Sequence, residues 1–225
     1  MFDRVISLIG EDNLKKINNT TVLIVGLGGV GGYALESLAR SGIGNFILID
    51  YDKIDISNLN RQIITNNDNI GMEKAMVAKE RILSINPSCN VITYDVFLND
   101  ENINILDNHN IGYIVDACDS VNTKKLLIDY AINKDINIIS SMGTANKLDP
   151  SKLAILDIRK TSYDPLAKIL RKYVLDKKIN KKIMVVSSTE EPIRKDILAS
   201  MVFVPATAGI YLANYVIKDI IKSNE

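Results

Sequence analysis

The residues best suited to chemistry lie in a few short stretches. Gly26-Leu27-Gly28-Gly29-Val30-Gly31 fits G-x-G-x-x-G, and Asp50-Tyr51-Asp52, Asn58-Leu59-Asn60-Arg61-Gln62, Lys74 and Asp116-Ala117-Cys118-Asp119 follow it. In such a loop the first glycine permits a tight turn, the second lets backbone approach a phosphate and the last lets helix and strand pack closely. The amides and dipole of the helix that follows attract the anion. Gly26, Gly28, Gly29 and Gly31 are therefore candidate phosphate-cradling residues. Asp50 stands 19 residues past Gly31, where a carboxylate can accept hydrogen bonds from both ribose hydroxyls. Together these features imply an adenine nucleotide without choosing among NAD, FAD and ATP. The Walker pattern G-x-x-x-x-G-K-[ST] is absent, which excludes a P-loop NTPase.

The remaining residues favour ATP. Arg61 and Lys74 can offset charge building on an α-phosphate and on leaving pyrophosphate. Asp119 can hold Mg²⁺, which keeps most of its waters and needs only one or two carboxylates. A dehydrogenase would need a proton donor, usually His or Tyr. The sole histidine, His109, sits in a polar turn ahead of a strand, at the wrong end of a sheet. An NAD-binding oxidoreductase and a non-catalytic ATP-binding scaffold stand as the alternatives.

These residues need a frame that gathers them. Apolar runs predict strands over 21–25, 45–49, 91–96, 111–115 and 136–139, alternating with helices over 30–40, 72–85 and 122–133. Beyond a turn at Asp149-Pro150 the pattern predicts strands over 152–157 and 182–187, a basic helix over 165–175 and an amphipathic closing helix over 206–221. The expected fold is α/β: a Rossmann-like, mostly parallel sheet with helices on both faces, in a single domain over 1–225. Residues 1–150 form the nucleotide half and 151–225 a C-terminal strand/helix extension. Every candidate residue then falls at or after the carboxyl end of a strand, where open α/β sheets bind ligands.

Composition narrows the class. The 225 residues are 47% hydrophobic and 24% charged, as in ordinary globular proteins. No uninterrupted apolar run is long enough to span a membrane, and charges come too early at the N-terminus for a secretory signal. The two cysteines, Cys89 and Cys118, cannot form a disulfide framework, so a reducing cytoplasm is the expected location. Net charge is zero, yet residues 159–195 hold 11 Lys/Arg against 4 Asp/Glu. That basic segment is a solvated face or a binding surface for a polyanion.

The glycine loop, the D-x-D after the second strand, N-x-x-R-Q, the lysine at a helix start and D-x-x-D together resemble the ubiquitin-activating-enzyme-like ThiF/MoeB/HesA superfamily. Its members adenylate a carboxylate with ATP and Mg²⁺. The resemblance implies that Gly26, Gly28 and Gly31 cradle phosphates and Asp50, followed by Asp52, binds ribose. It places Asn58, Arg61, Gln62 and Lys74 on ATP phosphates and Asp119 at the metal. Arg4, in an N-terminal segment of the superfamily's kind, would reach the ATP of a partner subunit, which requires a homodimer. Branches that activate sulfur-carrier proteins carry two C-x-x-C pairs for zinc; this chain has none, so no such zinc is expected. Adenylation of a carrier protein's C-terminal glycine is the weaker alternative.

In the second half, Ser140-Ser-Met-Gly143-Thr-Ala, Asp149-Pro150, Lys160-Thr-x-x-Asp164-Pro165-Leu166-Ala167, Val186-Ser-Ser-Thr-Glu190 and Phe203-Val-Pro205-Ala-x-Ala-Gly209 resemble the tRNA threonylcarbamoyladenosine dehydratase family. The segment between Glu190 and Ser200 is shorter than that family's pattern. The resemblance implies ATP-dependent adenylation of the free carboxylate of threonylcarbamoyladenosine at tRNA position 37. The carbamoyl group then closes on the activated carbonyl and expels AMP. Residues 151–225 become the substrate- and dimer-side part. Arg159, Lys160, Lys168, Arg171 and Lys172 become candidate contacts to tRNA phosphates. A monovalent cation and a sulfur-transferring partner such as a cysteine desulfurase are left open.

Overall fold

A computed structural model describes residues 1–193 and 197–222. The glycine-rich and β-branched runs form a seven-stranded sheet in the order β3-β2-β1-β4-β5-β7-β6. Its strands are β1 (Thr21–Val25), β2 (Asn45–Ile49), β3 (Asn90–Tyr94), β4 (Tyr113–Asp116), β5 (Asn137–Ser141), β6 (Leu153–Asp157) and β7 (Met184–Ser188). All neighbours run parallel except β6, which pairs antiparallel with β7 at the edge. Residues after Asp149-Pro150 thus extend the same sheet.

Helices α1 (Asp3–Ile9), α2 (Glu11–Asn19), α3 (Gly31–Ser41), α4 (Lys74–Ile85), α5 (Val121–Asn133), α6 (Pro165–Asp176) and α7 (Phe203–Lys222) complete the chain. Successive strand residues feed opposite cores, which is why the central strands read as unbroken apolar runs. Val22, Ile24, Phe46 and Leu48 pack with α2, α3, α4 and α7, whereas Leu23, Val25, Ile47 and Ile49 pack with α5 and α6. Most boundaries shift by one to three residues, and two differences from expectation have a structural cause. The first residues of the predicted helix over 72–85 are drawn into an antiparallel bridge between Lys53 and Glu73, so α4 starts at Lys74. The N-terminal segment, for which periodicity specifies no element, forms α1 and α2, parted by Gly10 at φ 82°.

An ion network couples α3 to α4. Glu36 on α3 accepts from Arg81 Nε at 2.8 Å and Nη2 at 2.8 Å, and from Arg40 Nε at 2.7 Å. Burial pushes the Glu36 carboxyl up, but the bonds from Arg81 and Arg40 outweigh it and leave it below the ordinary value of 4.5. A depressed carboxylate stabilises the fold above its unfolded pKa, and that contribution disappears as pH falls through the folded one. Glu36→Gln is expected to cost about 1–2 kcal/mol at pH 7 in urea unfolding, since both arginines are partly solvated. The gap from wild type should close as the pH drops below about 4.5.

Candidate active site

Chain order reverses across β1: β2 and β3 lie on one side and β4 and β5 on the other. The crevice at the carboxyl ends of β1 and β4 is therefore the topological switch point. The glycine loop enters it directly. Gly26 takes φ +87°, and a Cβ there would stand 2.7 Å from the Cys118 amide nitrogen. A Cβ on Gly31 would stand 1.8 Å from the Gly26 carbonyl oxygen. Sterics thus require glycine at both positions, and the loop is packed onto the D-x-x-D turn. Among the described residues nothing accepts from the Gly28, Gly29 or Val30 amides, and α3 begins without a side-chain cap. These donors face the crevice, as an anion site requires.

Asp50 fixes this loop from β2. Its Oδ2 accepts from the Leu27 amide at 2.6 Å and its Oδ1 from the Asp52 amide at 2.9 Å. Burial raises its carboxyl above the usual aspartate range, against the pull of those two amides. Each oxygen keeps a lone pair for a hydroxyl group. Lys74, at the start of α4, is 4% exposed, and its Nζ lies 2.7 Å from Asp52 Oδ2. Asp52 is thus the counterion of Lys74. Arg61 lies over the loop: its Cγ would be 3.4 Å from a Cβ on Gly29. Its Nη1 donates to the Ser57 carbonyl and to Asn60 Oδ1. Asn58 and Gln62 are buried beside it, and Gln62 Oε1 is a buried acceptor with no partner among the described residues. Asp119 is exposed. The charge of Asp52 first, then burial and the charges of Asp119 and Asp50, raise the Tyr51 hydroxyl above its ordinary value.

Below this surface lies an ion pair that sequence reasoning missed. Asp116 and Lys124 are both wholly buried; Lys124 Nζ sits 3.0 Å from each carboxylate oxygen and 2.8 Å from the Ser141 carbonyl. The pair joins β4, α5 and β5. Asp116 Oδ1 also accepts from the Cys118 amide and thiol. A signal existed: Lys124 shares the helical phase of Leu127, Ile128 and Ala131, the buried stripe of α5. A second missed pair, Lys147–Asp164 at 3.2 Å, has side chains only 1% exposed. Lys147 also donates to the Gly143 carbonyl, and Asp164 Oδ1 caps α6 at the Ala167 amide. No periodicity marks Lys147.

One cleft of about 1140 Å³ gathers Gly26, Gly28, Gly29, Asp50, Asp52, Asn58, Arg61, Gln62, Lys74 and Asp119. Gly31 stands just behind it, in the helix start. The far end of the cleft is built by the second half of the chain: Ser141 to Lys147, Asp164 to Leu166, and Leu198 to Ser200. Arg4 is exposed on α1 and is not among these lining residues. Phe2 packs near Gly42, at the C-terminal end of α3, whereas the cleft lies at its N-terminal end. Eleven residues separate the two ends, about 16 Å at the helical rise. Among the described residues no cluster of three or more His, Cys, Asp or Glu is arranged to hold a metal.

The basic segment divides. Arg159 donates to Asp157 and to the Ile179 and Lys181 carbonyls, and Arg171 donates to Thr161. Both brace the fold. Lys177 pairs with Asp129 and Lys181 with Asp135. Lys160, Lys168 and Lys172 face solvent with no ion-pair partner among the described residues. Arg194 and Lys195 lie outside the described residues. His109 accepts or donates a bond with the Tyr94 hydroxyl at 2.7 Å and takes no part in the cleft. Burial pushes both thiols up; at Cys118 the Asp116 charge adds to it.

The fold and this cleft define a nucleotide-binding α/β protein of the E1-like kind, and the ThiF family model matches residues 2–222. The chain belongs to the ThiF family. It is 37% identical to the tRNA threonylcarbamoyladenosine dehydratase of Bacillus subtilis (strain 168), over 96% of this chain and 93% of that one. The Escherichia coli (strain K12) protein of the same name is 41% identical over 73% of this chain and 61% of its own length. A crystal structure of the E. coli dehydratase in complex with ATP superposes with a TM-score of 0.92 at 35% identity, covering 98% of this chain and 93% of that chain.

The Asp116–Lys124 pair yields a prediction. Lys124→Met leaves a buried carboxylate unpaired and should cost about 3–5 kcal/mol in urea unfolding. Adding Asp116→Asn should recover part of that loss, because the uncompensated charge is gone. A single variant as stable as wild type would show that the pair adds nothing to stability.

Proposed function

We propose that this protein uses ATP to activate the carboxylate of N6-threonylcarbamoyladenosine at tRNA position 37 and closes it to the cyclic form. The observation that carries the reading is a single cleft with two ends. The glycine loop, Asp50, Arg61, Lys74 and Asp119 line one, and residues from the second half of the chain line the other. Likeness to dehydratases over nearly the whole chain supports the choice of substrate.

The chemistry follows from the residues. Unbonded amides at the start of α3 receive phosphate oxygens, and Asp50 takes the ribose hydroxyls. The substrate carboxylate attacks the α-phosphorus, and pyrophosphate leaves. Arg61 and Lys74 offset the charge that builds on the phosphoryl oxygens, where a donor gains most because the charge is largest at the transition state. The contact with Asp52 Oδ2 at 2.7 Å holds the Lys74 ammonium in place beside the loop. Asp119, a solvated carboxylate in the cleft, would hold Mg²⁺, with phosphate oxygens and water supplying its other ligands. When bound, that ion draws negative charge from the phosphates. The carbamoyl group then attacks the activated carbonyl, AMP leaves, and the net change is loss of water. Closure is intramolecular, so little entropy remains to be lost. Neither thiol is needed as a nucleophile, and burial disfavours both thiolates. The proposed steps move no sulfur, so assays with and without a cysteine desulfurase test for a sulfur-transferring partner, and assays in sodium or potassium would reveal any monovalent-cation requirement.

Arg4 fits this scheme only in trans, in a homodimer, because its own cleft lies at the other end of α3. The exposed Leu198, Met201 and Phe203 suit contact with a second copy. The whole chain then acts as one ThiF-like domain, with residues 1–150 serving ATP and 151–225 serving substrate and dimer, except that the 141–147 loop of the first part also walls the substrate end.

Two experiments test the reading. Mass spectrometry of nucleosides from modified tRNA should show loss of one water only when protein, ATP and Mg²⁺ are all present. Arg61→Ala and Asp119→Ala should each lower kcat about 100-fold or more. Full turnover in both would remove these residues from the mechanism. Separately, a Lys160→Ala, Lys168→Ala, Lys172→Ala variant should bind tRNA more weakly and lower the log–log salt slope by about 0.7–0.9 for each phosphate left without its lysine. Its affinity for ATP should be unaltered.

A further inference from the structure

Hydrogen bonds join the two ends of the cleft across its mouth. Between the ends runs the segment 197–201, which leads into α7. Asn60 Nδ2 donates to the Ser200 carbonyl at 3.0 Å. The Ala199 amide donates to Asn146 Oδ1 at 2.7 Å, and the Asn146 amide donates back to the Ala199 carbonyl at 2.7 Å. Asn146 holds φ 58°, a region that asparagine tolerates better than most residues. That turn lets its amide and its side chain meet the same partner. Lys147, the next residue, is paired to Asp164, the cap of α6.

The other side of Asn60 meets Arg61. Asn60 Oδ1 accepts from Arg61 Nη1 at 2.9 Å, the nitrogen that also donates to the Ser57 carbonyl at 2.7 Å. The amide orientation is unambiguous. A guanidinium only donates and a carbonyl only accepts, so oxygen must face Arg61 and nitrogen Ser200. One side chain therefore spends its acceptor on the phosphate end and its donor on the segment anchored at the substrate end. Aspartate at this position could do only the first, and alanine neither. Asn60 is exposed and Asn146 half-buried, so neither bears on the core. Neutral hydrogen bonds of this sort are individually modest, which suits a tie that substrate contact can tighten or release.

We propose that Asn60 is a positioning residue for carboxylate activation. It sets the Arg61 guanidinium while segment 197–201 is seated on Asn146, so that the state of the substrate end is felt at the phosphates. The proposal rests on the ATP-dependent activation proposed above.

Three variants separate the contributions. Asn60→Asp keeps the acceptor for Arg61 but turns a carboxylate oxygen on the Ser200 carbonyl. Asn60→Ala removes both bonds. Asn146→Gly keeps the left-handed backbone and deletes the acceptor for Ala199. Steady-state cyclisation of modified tRNA is measured with each, together with amide exchange of the 197–201 peptide. Asn60→Asp and Asn146→Gly are each expected to lower kcat about tenfold, with KM for ATP within about threefold of wild type, since the loss falls on the transition state. Exchange over 197–201 should quicken in both. The double variant should be no slower than the slower single, because both cut one tie. Wild-type kcat in Asn60→Asp, or additive losses in the double variant, would overturn the proposal. If wild-type protein forms no cyclic product at all, the proposed reaction fails, and exchange alone decides the tie. Faster exchange in Asn60→Asp then upholds it, and unchanged exchange overturns it.

Discussion

The carboxylate of Asp116 ends strand β4 with no exposure to water, and the crevice above it is arranged around how that charge is met. Lys124 supplies the opposite charge from α5 and spends a further bond on the last carbonyl of β5. Replacing such a pair with apolar groups often leaves stability unchanged or improved. Its use here is geometric. The same carboxylate oxygen that meets Lys124 also holds the Cys118 amide and thiol. The turn that carries Asp119 is thereby fixed from below. The glycine loop then closes on that turn, so tightly that Gly26 has no room for a side chain. The candidate phosphate-binding amides and the candidate metal carboxylate are thus both positioned from one buried ion pair.

Much of this architecture is legible as periodicity. A strand buried on both faces is apolar at most positions, so β1, β2 and β4 stand out as runs, with Asp116 the buried exception that Lys124 offsets. The order of strands at the far edge is not legible. Antiparallel pairing of β6 with β7 depends on which strand edge remains free once β5 is placed, and that is a property of the whole sheet. The start of α4 escapes periodicity for a related reason: Glu73 pairs with Lys53, a contact no local pattern records.

At the site, motif residues are legible because each candidate holds its own position in a short element. Partnership is harder. Asp52 and Lys74 each stand out in the sequence, yet their pairing needs β2 and α4 side by side. Counting charge over 159–195 cannot separate residues that brace the fold from residues that face outward. Arg159 has its carboxylate two positions away, in Asp157, and Arg171 turns back on the Thr161 carbonyl. Lysines at 160, 168 and 172 make no ion pair among the described residues. A local count of basic residues therefore overstates a binding surface wherever arginines find carbonyls nearby.

The division of the cleft bears on why one fold can activate different carboxylates. Its phosphate end needs glycine, a ribose acceptor and two cations, all set by strand ends that any Rossmann-like sheet supplies. Its far end is walled by the 141–147 loop, the cap of α6 and segment 197–201, none of which is part of the glycine loop. Buried charge makes that wall rigid at Lys147–Asp164, while the neutral bonds through Asn146 and Asn60 make it adjustable at the mouth. An activated acyl phosphate is vulnerable to water, so a tie that links the wall of the substrate end to Arg61 through Asn60 couples that wall to a cation beside the glycine loop. Intramolecular closure makes that link sufficient: once the carboxylate is activated, the second nucleophile is already attached, and no thiol need intervene.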